Sequence, residues 1–251
     1  MSNTPILCYH NIGHSPRDSR FKLLYVDPEK LARQLWSLRR LGLRGVSMRE
    51  GIGQLTGHTR NNQVILTFDD GYVDTLTQAL PVLIKFGCTA TCYIVSDAIG
   101  GHNHWDADYL QENKPLMTHA HLQQWLAAGM EVGSHSRSHP RLRGLDMAAA
   151  EEEISGSRTA LRAALGIEVE HFAYPFGSFD DTTADLVKRA GYGSAVSVIA
   201  GIARPTDDRY RLPRILVDGQ RSWWRILLRL ATPYESLRRH LRHRNTTRAY
   251  G

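Results

Sequence analysis

Short apolar runs rich in β-branched and aromatic residues alternate along this chain with stretches of helical periodicity. That alternation restricts the fold more than any other feature. Strands are expected at 5–9, 44–48, 63–68, 89–95, 130–134, 170–174, 192–198 and 212–217, with helices at 28–41, 73–86, 118–128, 146–165 and 180–190. Asp27 and Pro28 open the first helix, and Leu31, Leu35, Leu38 and Leu41 keep helical spacing along it. The helix at 146–165 starts at Asp146, and its Glu run at 151–153 suits the positive end of the helix dipole. Strands and helices in this order call for a parallel sheet covered by helices, either a barrel or an open doubly wound sheet. The 251 residues suit one large α/β domain, and 42% hydrophobic with 22% charged residues excludes a collagen, a coiled coil, a disordered chain or a polytopic membrane protein. No repeat or low-complexity linker divides the chain. A polar loop at 99–115 is long enough to suggest a functional segment.

The formal net charge of +6 is unevenly spread. Residues 220–251 carry eight Arg against the single acid Glu235, so that segment is +7 and the rest of the chain is −1. The division expected is therefore 1–219 as the body of the protein and 220–251 as a basic helix and tail. A near-neutral body argues against specific nucleic-acid binding. Cys8, Cys88 and Cys92 cannot form a disulfide framework, because a strand through CTATCYIV would hold Cys88 and Cys92 about 13 Å apart. With no long apolar span and no basic, apolar start, the expected location is cytoplasmic.

Two constellations carry chemistry. In Thr67-Phe68-Asp69-Asp70-Gly71-Tyr72 an apolar strand runs into paired carboxylates, at the strand end where α/β folds place their sites; a helix cap or turn is the plain alternative. In Gly133-Ser134-His135-Ser136-Arg137-Ser138-His139 two imidazoles lie four residues apart, a spacing that one helical turn would aim in one direction. Two imidazoles and a carboxylate form a three-ligand set for a divalent metal with an open position.

TFDDGY at 67–72, HSRSH at 135–139 and AYPFG at 173–177 resemble the first three motifs of the polysaccharide deacetylase (NodB homology) family, carbohydrate esterase family 4. The resemblance runs over roughly 5–218. It implies a single-domain distorted (β/α) barrel of about seven strands and metal-dependent removal of acetyl groups from N-acetylated sugars. Carried over by position, it implies Asp70, His135 and His139 as ligands of one divalent ion, most simply Zn²⁺ with Co²⁺ or Ni²⁺ able to substitute, and Asp69 as general base. The backbone N–H of Phe176 would complete the oxyanion site.

Two parts of the pattern are missing. Ala173 stands where many members carry an Arg, and Arg214 in LPRIL is the candidate replacement to grip Asp69. The last strand, ending Ile215-Leu216-Val217-Asp218, lacks the His that would act as general acid, but ILCYH at 6–10 is an apolar strand ending in His10. First and last strands are neighbours in a closed barrel, so His10 is assigned as the acid, brought from the other end of the chain. His102, His104, Trp105 and Asp106 read as a solvated loop rather than a sugar contact, and His119 and His121 as exposed near a helix start.

The function expected is a cytoplasmic N-deacetylase acting on a polysaccharide, glycolipid or sugar-conjugate precursor. The alternatives are an amidase for another acyl group or a non-sugar amide, and a non-enzymatic module binding anionic lipid or nucleic acid. Arg221, Arg225 and Arg229 fall on one face of a helix whose other face carries Trp223, Ile226, Leu227 and Leu230, with Arg238 to Arg248 following. Such a tail either covers the barrel or lies on anionic lipid at the inner face of the membrane. Oligomeric state is not legible.

Overall fold

The computed structural model describes residues 3–17, 22–57, 62–106, 113–219 and 223–231. The chain divides into two units, Met1–Gly219 and Gln220–Gly251. Ten strands occur among the described residues: β1 Ile6–Tyr9, β2 Asn11–Ile12, β3 Tyr25–Val26, β4 Arg44–Val46, β5 Gln63–Phe68, β6 Thr91–Ile94, β7 Glu131–Ser134, β8 His171–Ala173, β9 Ser194–Ala200 and β10 Leu212–Leu216.

Seven of them close into a parallel barrel. β5 to β10 pair in sequence order, and β1 closes the ring by pairing with β5 on one edge and β10 on the other. The open doubly wound alternative is thereby excluded. The barrel is distorted where β4 takes the lower part of β5, at Gln63–Ile65, and leaves only Thr67 and Phe68 for β6. β2 and β3 form a separate two-stranded pair.

Side chains alternate in and out along each strand. Ile6, Ile65, Tyr93, Ala173, Val196 and Leu212, from six different strands, therefore meet in one cluster that fills the barrel. Gly133 makes room for it, since a Cβ there would lie 2.5 Å from the Tyr93 ring. Beneath this layer Glu131 is buried and accepts from the Thr91 hydroxyl at 2.6 Å and the Arg49 N–H at 2.9 Å. Above it, the same inward positions become polar: Cys8, Thr67 and Arg214, and then the strand-end loops.

The helices follow the expected spans with four corrections. Leu41 ends the helix Pro28–Arg40 as an exposed C-cap rather than a core position. A π turn at Thr75–Ala79 precedes the helix Leu80–Lys85. Another at Glu152–Gly156 interrupts the helix between Met147–Glu151 and Ser157–Leu165. Asp146 does cap this helix, accepting from the Ala149 N–H at 3.0 Å, but the Glu run lies past the first turn, and Glu152 and Glu153 bond to side chains and backbone elsewhere rather than to the helix end. The three cysteines are free thiols, and Cys88 precedes β6 instead of lying in it.

The second unit is described over the helix Trp223–Ala231, with Trp224 and Leu228 exposed and Ile226 buried. Arg221, the Arg229 side chain and Arg238 to Arg248 lie outside the described residues. No helix among the described residues is long and apolar enough to cross a membrane.

Candidate active site

The C-terminal ends of β1, β5, β7, β8 and β10 converge on one cluster. At the end of β5, the Asp69 N–H is held by the Tyr9 carbonyl at 3.0 Å. Asp70 (φ 75°) and Gly71 (φ 79°) are then both left-handed. This reversal costs Asp70 roughly 1–2 kcal/mol of backbone strain and sends the two adjacent carboxylates to different partners.

Asp70 faces the two histidines. Its Oδ1 lies 3.5 Å from His135 Nε2 and 3.3 Å from His139 Nε2, and all three residues are buried. The histidines are not on a helical turn, as their spacing suggested. They sit in an irregular loop after β7, bent by left-handed Ser136 (φ 66°) and His139 (φ 65°), with the His139 N–H donating to Ser136 Oγ at 3.0 Å. His135 Nδ1 is 2.7 Å from the Ala173 carbonyl, so that nitrogen carries a proton and the ring is fixed with Nε2 turned toward Asp70. Burial alone would raise the pKa of Asp70, but hydrogen bonds from His135 and His139, with the charge of His139, hold it well below the usual carboxylate range. Burial also acts to lower His135, yet Asp70 and Asp69 outweigh it and its pKa is raised, whereas burial wins at His139 and its pKa is lowered.

This donor set suits a divalent cation. The three ligand atoms lie within 4.8 Å of one another. An ionised carboxylate and two imidazole nitrogens, one fixed by a carbonyl behind it, match the ligand types of a three-residue metal site.

Asp69 faces Arg214. The guanidinium of Arg214, on β10, donates from Nη1 to Oδ1 and from Nη2 to Oδ2, each at 2.7 Å. Two further donors, Nη1 and Nε, go to Thr67 Oγ1 at 3.1 Å and the Ser197 carbonyl at 2.9 Å. Arg214 is only 1% exposed, so it is no solvent-rim residue. Burial pushes Asp69 up, and the Arg214 charge and hydrogen bonds overcome it to leave its pKa lowered. The Cys8 thiol, pushed up by burial and so protonated, lies 3.5 Å from Asp69 Oδ2. His10, at the end of β1, brings its Nε2 to 3.9 Å from the same oxygen, with 17% of the side chain exposed.

Phe176 sits in the turn after β8 with φ 56°, and its ring meets the edge of His139 at 4.6 Å. Gly177 (φ 63°) is required there, since a Cβ would meet the Val198 side chain at 2.2 Å. Sequence reasoning missed Trp105. Its ring stacks on His139 with centroids 4.4 Å apart, and neighbouring Asp106 accepts from the Tyr72 hydroxyl at 3.3 Å. Burial, with the nearby Asp70 charge, pushes Asp106 up to about 6. The signal was an aromatic residue inside a long polar loop. His104 meets Trp105 in a T-shaped contact at 5.2 Å, and His121 serves in the capping box of the helix His119–Ala127.

The geometry can be set beside known proteins. The chain is 27% identical over 215 residues to YxkH of Bacillus subtilis (strain 168), covering 85% of this chain and 71% of that protein. It is 26% identical to a poly-β-1,6-N-acetyl-D-glucosamine N-deacetylase of Staphylococcus epidermidis, across 65% of this chain and 57% of the relative. Its fold matches the deacetylase PplD of Streptococcus pyogenes (TM-score 0.79, 24% identity, 91% of this chain and 98% of that one). It matches IcaB of Ammonifex degensii equally well (TM-score 0.79, 24% identity, 92% and 97%). The sequence signature described as Polysaccharide deacetylase matches residues 56–195, more than half of the chain. With that match spanning both the Asp69–Asp70 turn and the His135–His139 loop, the chain belongs to the polysaccharide deacetylase family.

Proposed function

We propose that the protein is a metal-dependent hydrolase that removes the N-acetyl group from an N-acetylated sugar. The observation that carries this reading is the separation of two adjacent carboxylates, Asp70 onto two imidazoles and Asp69 onto a buried guanidinium. The poly-N-acetylglucosamine activity named for the staphylococcal relative supports the substrate class.

Asp70, His135 and His139 would hold one divalent ion, with Zn²⁺ the simplest choice and Co²⁺ or Ni²⁺ able to replace it. When bound, such an ion lowers the pKa of a coordinated water to about 7 and polarises an amide carbonyl. Asp69 is the general base. Arg214 keeps it ionised and fixes both oxygens, so it accepts a proton from the attacking water without itself becoming a ligand. His10 is the general acid, its partly exposed imidazole standing at the mouth beside Asp69 to protonate the departing nitrogen. The Phe176 N–H, turned by its left-handed backbone, is the oxyanion donor.

Acetate release from a panel of N-acetylated saccharides, with and without chelator, tests the proposal. Chelator-sensitive release is expected. Silence across the panel with metal bound would favour another amide, and silence without metal binding a non-enzymatic module.

We further place the protein in the cytoplasm at an anionic membrane face. The exposed Trp224, Arg225 and Leu228 of the helix Trp223–Ala231, and the Arg-rich sequence after it, support this. Full-length protein should co-sediment with anionic but not neutral liposomes, and a chain ending at Thr232 should bind less. Equal, negligible binding by both at low salt would remove the membrane contact.

A further inference from the structure

The loop that carries His135 and His139 is held from outside by the π turn Glu152–Gly156. A π turn adds one residue to a helical repeat, which re-aims the side chains at that point, and such turns recur at functional sites. Here the redirected residue is Glu153. Its Oε2 accepts the backbone N–H groups of both Arg137 and Ser138, each at 2.9 Å, and its Oε1 accepts the Ser138 hydroxyl at 2.5 Å.

The opposite side of the same loop is held by backbone hydrogen bonds. The Ser96 N–H donates to the Ser136 carbonyl at 3.1 Å, and the Asp97 N–H to the Arg137 carbonyl at 3.0 Å. The Arg137 side chain spans both supports, reaching Asp97 with Nε at 3.0 and 3.1 Å and pairing with Glu152. Gly156 lets it pass: a Cβ there would stand 2.9 Å from Arg137 Cδ and 2.8 Å from Glu152 Oε1.

Between these supports lie two left-handed residues, Ser136 and His139, whose conformation must be over-determined by its surroundings. Two consecutive N–H groups converging on one oxygen supply that restraint directly before His139.

We infer that Glu153 is a positioning residue, a clamp on the histidine loop that sets its affinity for the divalent ion. The inference rests on the proposed ligand role of Asp70, His135 and His139. It concerns geometry rather than charge, because the two backbone donors need one correctly placed oxygen. A glutamine supplies that oxygen, and the Ser138 hydroxyl can rotate to accept from its amide. An aspartate keeps the charge but withdraws the oxygen by one methylene.

Co²⁺ affinity of the full chain, read by calorimetry and by the visible absorption of the bound ion, tests this. Glu153→Ala and Glu153→Asp are expected to weaken Co²⁺ binding by roughly 10–100-fold, as loss of a group orienting a metal ligand does. Glu153→Gln should stay within about threefold of wild type, and Glu152→Ala, which removes only an exposed ion pair, should do the same. Thermal melts without metal identify any variant that fails to fold, and the Asp and Gln variants keep the comparison intact if Ala does. Wild-type affinity in Glu153→Asp would overturn the clamp, as would equal losses in Glu153→Gln and Glu153→Asp. His139→Ala separates the two readings: if it loses Co²⁺ while Glu153→Asp does not, only the clamp falls, and if it binds like wild type, the ligand assignment falls and the clamp with it.

Discussion

Arg214 and Asp69 meet as a parallel fork, two N–H···O bonds of 2.7 Å between a side chain of β10 and the residue that ends β5. Both partners are buried, so neither charge has water to replace the other. Removing one partner of such a pair costs about 3–5 kcal/mol. Arg214→Met should therefore lower stability by about that amount in urea titration. The double variant Asp69→Asn/Arg214→Met should recover most of the loss while remaining inactive. Failure of the double variant to regain stability would mean that Arg214 acts through its packing and not through the pair.

Asp69→Asn should retain bound metal and lose about 10²–10⁴-fold in turnover, the range for removal of a general base. Metal analysis beside steady-state kinetics reads both quantities on one sample. Near-normal turnover would reassign the base.

His10→Ala should lower kcat far more than it raises KM, since a proton donor acts in the transition state. An effect confined to KM would make His10 a binding residue.

Replacing both imidazoles in His135→Ala/His139→Ala should abolish stoichiometric divalent metal while leaving the far-ultraviolet spectrum of the barrel unchanged. Full occupancy in that variant would refute the ligand set.

At the opposite end of the barrel, His171 supplies a pH dependence of stability. Its Nδ1 lies 2.9 Å from Ser194 Oγ and its Nε2 3.6 Å from Glu131 Oε1. Burial lowers its pKa, and the Glu131 charge offsets this only in part. The unfolded chain takes up the proton near pH 6.5 while the folded chain resists it, so stability is lost as pH falls from about 6.5 through the lower folded value. Urea unfolding of wild type and His171→Gln between pH 7.5 and 5 should show a shallower decline for the variant. Parallel curves would assign the acid sensitivity to other groups.

Much of this site could be read from residue order because it hangs on strand ends. QVILTF runs to Phe68 as expected, so Asp69 and Asp70 had to emerge where the strand stops. Closure of the barrel made His10 legible for the same reason, and Ala173, where the resemblance led to an Arg, turned attention to Arg214 in LPRIL. What escaped were features fixed by tertiary contacts. The four-residue spacing of His135 and His139 fits a helical turn, and the left-handed bends are held instead by hydrogen bonds of Glu153, Ser96, Asp97 and Ser136. The periodicity of 146–165 carries no mark of an inserted residue, so the Glu run read as a dipole partner. Trp105 was legible only as a loop aromatic, because nothing near it in sequence states that His139 lies beneath it.

The position of β1 between β5 and β10 has a consequence for how the protein comes into being. Asp69 and its counter-ion are 145 residues apart in the chain, so during N-to-C synthesis the carboxylate exists long before the guanidinium does. β1 and β5 can zip early, but the ring stays open until the penultimate stretch of the first unit emerges. The strand that shuts the ring is the one that delivers Arg214. Pairing of Asp69 with its counter-ion and completion of the topology are thus a single late event, and a nascent or truncated chain lacking β10 carries an uncompensated carboxylate at its seam.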